Sequence, residues 1–334
     1  MKRVIGLDCV RAIAISFVIL GHFMLHTHLS RTPLVGLGMY LQLFLLPIFN
    51  TGVPLFLLLT GYLNTEKEYS FSYLVRIKKV LIPYLFFSVL TIFYRGGGYL
   101  REDYSIIEWI LKIFDFSAIP YGWYIEMYIG LYILIPFLNI LYNNIKTKEH
   151  KIALISVLII LTLLPKLFNK GDFKLLPEWW LGLYPICYYY IGAYVKEYQI
   201  VVKRIVGLLV IIGLALLEPI TNYLFYDGSL ISIARTVQSP LCAITAVLIF
   251  LMLYKKNIKS IIISNTIQNI SKLSLEMYLV SYIFDSLLYP IFMDRFFITD
   301  SQFTLFFPII TLSVFILSYI VSFVYHLVFI PISK

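Results

Sequence analysis

The chain of 334 residues is 60% hydrophobic and 13% charged, and its mean hydropathy is +0.87. A soluble globular domain usually carries about 25% charged residues, so this composition excludes a water-soluble fold. The formal net charge of +9 is spread over short loops between apolar segments rather than gathered in a basic patch, which argues against nucleic acid as a partner.

Ten apolar segments are predicted to cross a membrane. About 20 apolar residues span the hydrocarbon core, and only a helix satisfies its own backbone there. In chain order the segments are 7–28, 40–63, 74–94, 121–142, 150–166, 181–196, 203–224, 231–254, 273–293 and 303–329. The first segment is too long for the apolar part of a signal peptide, so it is predicted to be an uncleaved span.

The loops between these segments predict the orientation of the chain. Those on the N-terminal side carry nearly twice as many Lys and Arg residues as those on the opposite side. The positive-inside rule therefore places both termini in the cytoplasm. The predicted fold is an all-α integral membrane bundle of about ten helices, with one domain over residues 1–334. The longest outer loop, about 95–120, is interpreted as a flexible connector, with contact to an extracellular partner as the alternative.

The first predicted span contains Asp8, Arg11 and His22. Ionisable groups inside spans cost about 2.5–3.5 kcal/mol each on insertion scales, so each needs an explanation. Asp8 and Arg11 are three residues apart and can neutralise each other on one helix face. Arg11 and His22 are nearly three helical turns apart, so they share a face about 16 Å apart along the axis. A structural ion pair with a packing histidine and a functional site both fit this pattern.

The fourth predicted span holds Glu126 among several aromatic residues near its outer end. A carboxylate beside an imidazole can orient it and stabilise its protonated form, so Glu126 is a candidate partner of His22. Trp123 and Tyr124 fit either an aromatic belt at the membrane surface or an acceptor site. His26 lies four residues after His22, but no carboxylate or cysteine stands at a supporting spacing, so no metal site is predicted.

Two further charged pairs are candidates for binding. Arg76 and Lys79 lie at the cytoplasmic start of the third span and can hold a phosphate-rich ligand together or contact anionic lipid. Glu218 and Arg235 lie near the outer ends of adjacent spans. They fit either a structural ion pair or part of an acceptor site.

These clusters, in this order, resemble motifs of the bacterial acyltransferase-3 family of integral membrane O-acyltransferases. The matching segments are Arg11-Ala12-Ile13-Ala14 with His22, Thr60-Gly61-Tyr62-Leu63, Arg76 and Lys79 before Ile82-Pro83, and Trp123-Tyr124 with Gly130-Leu131-Tyr132. Asp8 takes the acidic position that commonly precedes the first motif. The chain departs from the family in the ninth span, where Ser281 stands in the place of a histidine that many relatives carry.

The resemblance implies transfer of an acyl group, most simply acetyl from acetyl-CoA, to a hydroxyl of an exopolysaccharide or its precursor in a bacterial plasma membrane. In this scheme Arg76 and Lys79 hold the phosphates of CoA, and Arg11 holds the next polar part. His22, oriented by Glu126, acts as base or as nucleophile. Acyl-CoA, the glycan and membrane lipids are the expected partners. Acyl-CoA is a co-substrate, and no tightly bound cofactor or metal is expected.

The main alternative is an exporter or flippase of a polysaccharide or lipid-linked sugar. Polar residues inside a helix bundle serve a transport path equally well. Internal symmetry or broken helices would favour transport, whereas a basic pocket joined to His22 would favour the enzyme. A purely structural protein or a sensor leaves Asp8, Arg11, His22 and Glu126 unexplained.

Overall fold

A computed structural model describes residues 3–29, 34–97, 102–169, 173–228, 230–231, 236–296 and 301–329, except for the side chains of 294–296 and 301–305. Every regular element in these ranges is a helix, which confirms the all-α prediction. The helices are α1 (Ile5–His26), α2 (Leu37–Phe49), α3 (Gly52–Asn64), α4 (Phe71–Val75), α5 (Lys78–Gly97), α6 (Ile106–Phe114), α7 (Trp123–Asn144), α8 (Lys148–Thr162), α9 (Pro165–Phe168), α10 (Tyr184–Tyr198), α11 (Arg204–Phe225), α12 (Pro240–Leu253), α13 (Ile261–Lys272), α14 (Ser274–Phe296) and α15 (Ser301–Phe329).

Eight helical segments among the described residues are long and apolar enough to cross a membrane. They are Ile5–His26, Leu37–Asn64, Phe71–Gly97, Trp123–Asn144, Lys148–Phe168, Arg204–Phe225, Ser274–Met293 and Phe306–Phe329, and each overlaps a predicted span. The predicted spans 181–196 and 231–254 correspond to the shorter α10 and α12, of 15 and 14 residues. Such helices are about 21–22 Å long and do not cover a hydrocarbon core of about 30 Å unaided. The total of ten spans and the cytoplasmic position of the termini stay predictions.

The chain divides into two compact units. Unit 1 consists of Met1–Lys67 and Ile135–Ser271, and unit 2 consists of Glu68–Leu134 and Lys272–Lys334. The polypeptide therefore passes from one unit to the other three times, and α7 contributes residues to both. The prediction of a single domain stays a prediction.

Within unit 1, α3 and α10 touch backbone to backbone. A Cβ atom added to Gly61 would overlap the carbonyl of Tyr189, and one added to Gly192 would overlap the carbonyl of Leu58. The two glycines thus face the opposite helix reciprocally. In membrane bundles, small residues let backbones approach closely and gain packing contacts. The glycine of the Thr60-Gly61-Tyr62-Leu63 motif is therefore a packing residue.

Several helix ends that are predicted to share the N-terminal side meet at one end of unit 1. Gly6 packs against the backbone of Tyr254, and the Tyr254 hydroxyl donates to the Ile200 carbonyl at 2.5 Å. At the start of α8, Lys151 is only 6% exposed, and its Nζ lies 2.7 Å from Glu197 near the end of α10. The side of the membrane on which these helix ends lie stays a prediction.

In unit 2, the described part of the outer loop is held by Arg95, a buried residue in the last turn of α5. Its guanidinium donates to the carbonyls of Ser117 and Ala118 at 3.0 and 2.9 Å and pairs with Glu102 at 2.7 Å. The loop also contains α6, which begins with a reciprocal capping box between Ser105 and its third residue. This part of the loop is folded and hydrogen-bonded, whereas the sequence analysis interprets it as a flexible connector.

Candidate functional site

The first-span cluster lies at the start of α1 in unit 1. The buried Asp8 carboxylate accepts hydrogen bonds from Arg3 Nε at 2.7 Å and from Arg3 Nη2 at 2.8 Å. Ser271 Oγ donates a third bond to Asp8 at 2.7 Å. The bonds to Asp8 raise the pKa of the Arg3 guanidinium, so Arg3 stays protonated. A carboxylate inside an apolar span is thereby neutralised and hydrogen-bonded.

Arg11 joins the same cluster through the hydroxyl of Ser271. Arg11 Nη1 donates to Ser271 Oγ at 3.3 Å, so this serine connects the carboxylate of Asp8 to the guanidinium of Arg11. Ser271 is buried near the end of α13, which it attaches to α1. The sequence places Asp8 and Arg11 on one helix face but does not reveal Arg3 and Ser271 as members of the cluster. Arg3 precedes the helix, where helical spacing does not apply, and Ser271 is remote in sequence.

Replacing Asp8 with alanine is expected to destabilise the protein by about 1.5–3 kcal/mol, because the charged hydrogen bonds of Arg3 and Ser271 lose their acceptor. The measurement is the thermal unfolding midpoint of the purified protein in detergent. Asp103→Ala is the control, because Asp103 is exposed in the outer loop and its loss is expected to change stability by less than about 0.5 kcal/mol. Equal midpoints for the two variants would contradict a stabilising role for Asp8.

His22 lies on the same continuous helix as Arg11. The unbroken helix confirms the predicted relation, in which the two residues share a face about 16 Å apart along the axis. The His22 side chain is half-buried. No group of three His, Cys, Asp or Glu side chains suited to a metal ion occurs in the part of the chain that the structure describes.

The predicted phosphate-binding pair lies in unit 2, where α4 leads into α5. Arg76 is the C-terminal cap of α4, and Lys79 lies in the first turn of α5. The Lys79 amide donates to the Arg76 carbonyl at 3.1 Å, so one helical turn separates the two residues. Both side chains are exposed. Two neighbouring cations with freely accessible donors can bind a phosphate group together.

A stacked tyrosine pair fixes this basic turn against α7. The Tyr73 hydroxyl donates to the Tyr132 carbonyl at 2.6 Å, and the Tyr132 hydroxyl donates to the Tyr73 carbonyl at 2.7 Å. Their rings are stacked, with centroids 4.4 Å apart and an interplanar angle of 3°. Tyr132 closes the Gly130-Leu131-Tyr132 motif, so the structure joins that motif to the segment that carries Arg76.

The other predicted residues of α7 lie in its first turn. Glu126 is exposed, Trp123 is 43% exposed and Tyr124 is half-buried. The rings of Trp123 and Tyr124 are 6.2 Å apart, edge to face. These three residues belong to unit 2 and His22 belongs to unit 1, so the orientation of His22 by Glu126 stays a prediction.

Glu218 is fully buried in α11 of unit 1. Its backbone carbonyl accepts a hydrogen bond from the Asn222 side chain at 2.9 Å. Arg235 lies outside the described residues, so the pairing of Glu218 with Arg235 stays a prediction. An acceptor-binding role for these two residues is likewise a prediction.

The ninth predicted span contains polar groups that the sequence analysis missed. In α14, the fully buried Asp285 accepts a hydrogen bond from the Tyr121 hydroxyl at 2.8 Å. The buried Ser281 turns its hydroxyl to the Tyr278 carbonyl of the same helix at 2.8 Å, and the Tyr278 hydroxyl donates to the Tyr121 carbonyl. The aspartate inside an apolar span was the available signal, since such residues are rare unless they bind a partner.

Comparison with known proteins gives one match. A family model described as an acyltransferase domain matches residues 4–323 of the chain. The match extends over parts of both units and includes every candidate residue predicted from the sequence, whereas Arg3 lies just before it. No curated protein and no solved structure matches the chain.

Proposed function

Because the chain belongs to the acyltransferase-3 family, we propose that it is a membrane O-acyltransferase that takes its acyl group from cytoplasmic acyl-CoA. The family match and the eight candidate spans make the chain a multi-pass membrane acyltransferase. The proposed acyl group is acetyl, the simplest case. The proposed acceptor is a hydroxyl of a cell-surface polysaccharide or its precursor, reached from a bacterial plasma membrane.

The proposal that acyl-CoA is the donor rests on the exposed pair of Arg76 and Lys79. CoA bears three phosphate groups, and guanidinium and ammonium groups form strong, charge-assisted hydrogen bonds with phosphate. The turn between α4 and α5 presents both cations within one helical turn, and the Tyr73–Tyr132 pair holds that turn in place. Anionic lipid headgroups are the competing ligand of such a pair.

In the proposed transfer step, His22 moves a proton from the acceptor hydroxyl to the leaving thiolate. The imidazole takes the proton of the acceptor hydroxyl while the hydroxyl oxygen bonds to the thioester carbonyl carbon. The carbon–sulfur bond then breaks, and the CoA thiolate leaves and takes up the proton from the imidazolium. Arg11 is proposed to bind a polar part of the donor. Glu126 is proposed to orient His22, and Trp123, Tyr124, Glu218 and Arg235 are proposed to contact the acceptor.

The test of the donor is binding of acetyl-CoA to the detergent-purified protein. Arg76→Ala and Lys79→Ala are each expected to weaken binding about 10- to 100-fold, because each removes a charged hydrogen bond worth about 1.5–3 kcal/mol. Lys78→Ala is the matched control, since it removes the adjacent exposed lysine that is not assigned to the phosphates. Equal losses in Lys78→Ala and Lys79→Ala would show a diffuse charge effect instead of a site.

Export or flipping of a glycan is the competing function, and one feature of the structure favours it. The segment Leu37–Asn64 is broken into α2 and α3 at Asn50 and Thr51, and transporters place substrates at broken helices. The binding test separates the two functions. A wild-type protein that binds no short acyl-CoA would make transport the leading function.

A further inference from the structure

A row of tyrosines extends along α7 in unit 2, and we call it the tyrosine ladder. It consists of Tyr124, Tyr128 and Tyr132, with Tyr73 stacked on the last of them. The ring centroids are 6.1 Å apart between Tyr124 and Tyr128, 6.1 Å between Tyr128 and Tyr132, and 4.4 Å between Tyr132 and Tyr73. Spacing by four residues puts the three α7 tyrosines on one helix face.

The ladder continues beyond the depth at which tyrosines anchor a span to the membrane surface. Tyr128 and Tyr132 lie about 7.5 and 13.5 Å along the axis from the first residue of α7. Tyrosines of an aromatic belt sit at the headgroup level, whereas these two lie within the length of the span. All three α7 tyrosines are half-buried, so their phenol groups are not sealed inside a packed core. This face therefore presents aromatic ring surface together with phenolic oxygen atoms, a combination suited to an amphipathic occupant.

The two ends of the ladder carry different chemistry. At one end, the Tyr73 carbonyl accepts hydrogen bonds from the Tyr132 hydroxyl at 2.7 Å and from the Arg76 amide at 3.1 Å, so the basic turn adjoins the last rung on α7. At the other end, Tyr124 contacts Trp123, and Glu126 lies in the same first turn of α7. The ladder is therefore continuous from the predicted phosphate-binding pair to the predicted acceptor-binding aromatic residues.

We propose that the tyrosine ladder binds the acyl-pantetheine arm of the donor, with the phosphates at Arg76 and the acyl group towards Tyr124. This inference rests on the proposed function. The arm alternates methylene groups with two amides and ends in a thioester. Its methylenes pack on the tyrosine rings, and its amide N–H groups donate hydrogen bonds to the phenolic oxygens. Such a path carries the acyl group from the basic turn towards the first turn of α7, while the nucleotide stays beside Arg76.

The experiment compares two ligands on the full-length protein in detergent. Acetyl-CoA contains the arm, and adenosine 3′,5′-bisphosphate contains phosphates and base but no arm. Tyr128→Trp adds bulk in the middle of the ladder and is expected to weaken acetyl-CoA binding at least tenfold. The same variant is expected to bind adenosine 3′,5′-bisphosphate within twofold of wild type, which also shows that it is folded. Tyr128→Phe keeps the ring and removes one hydroxyl, so a loss of only two- to tenfold is expected.

The matched control is Tyr319→Trp, the same change at a half-buried tyrosine of α15 outside the ladder, and both ligands are expected to bind it as they bind wild type. Unchanged acetyl-CoA binding by Tyr128→Trp would overturn the ladder proposal and leave the proposed function standing. Equal loss of both ligands in Tyr128→Trp, with both retained by Tyr128→Phe, would overturn it as well. A wild-type protein that binds neither ligand would overturn the proposed function together with the ladder.

Discussion

His22→Ala is expected to lower the rate of acyl transfer by about 10²- to 10⁴-fold, the range that a positioned general base contributes. In the proposed step, His22 alone accepts the proton of the acceptor hydroxyl. His22 lies on the continuous helix α1, on the face that carries Arg11, and ionisable residues within an apolar span usually have a role. Acetyl-CoA binding is expected to stay within about twofold of wild type, since the phosphates are assigned to unit 2.

The measurement is transfer of radiolabelled acetyl from acetyl-CoA by purified protein in lipid vesicles, at equal amounts of folded protein. His26→Ala is the matched control, because His26 is a half-buried histidine one turn further along the same helix and is expected to keep full activity. Full activity of His22→Ala would exclude His22 as base and as nucleophile. Equal loss in His22→Ala and His26→Ala would indicate a structural effect at the end of α1.

Gly61→Ala is expected to destabilise unit 1 by about 1–3 kcal/mol or more, the cost of overpacking a close-packed contact. The new methyl group would overlap the Tyr189 carbonyl, and backbone atoms cannot rotate away as a flexible side chain can. The helices α3 and α10 would have to separate, which would also disturb the facing contact of Gly192 with Leu58. The measurement is the unfolding midpoint in detergent together with the yield of monodisperse protein.

Gly213→Ala provides a sharp comparison for this prediction. Gly213 lies inside α11 of the same unit, and an added methyl group there would meet nothing within 4 Å. Alanine is a better helix former than glycine by about 1 kcal/mol, so this variant is expected to match or exceed the stability of wild type. If Gly61→Ala were as stable as Gly213→Ala, close packing of α3 on α10 would not limit stability.

The spans were predictable from sequence because hydropathy over a window of about 20 residues reports the thickness of the bilayer. The positions of helix breaks were not predictable, because a break depends on the loss of single backbone hydrogen bonds. At position 54 a proline has no amide hydrogen to donate to the Asn50 carbonyl, and the predicted span 40–63 is broken close by, between α2 and α3. The helices α10 and α12 are shorter than the bilayer core and overlap the predicted spans 181–196 and 231–254, whose crossing of the membrane stays a prediction.

One relation within the candidate site was also predictable, because it follows a regular spacing in the sequence. Helical periodicity relates Arg11 to His22 within one element, and the unbroken α1 bears this out. Periodicity carries no information about partners on other helices, such as Ser271 beside Asp8 or Tyr73 stacked on Tyr132. Asp285 was a different kind of omission, since its position in an apolar span was visible and only its partner, Tyr121, required the structure.

The division of the chain between the two units has a consequence for biosynthesis. Residues 68–134 of unit 2 leave the ribosome before Ile135–Ser271 of unit 1, and their partners α14 and α15 follow only after that segment. At about 5–20 residues per second, the wait is roughly 7–30 s. During this time Tyr121 is already in place, whereas its hydrogen-bond partner Asp285 has yet to be synthesised. A chaperone or insertase that shields the Tyr121 hydroxyl is therefore expected to assist this stage of membrane insertion.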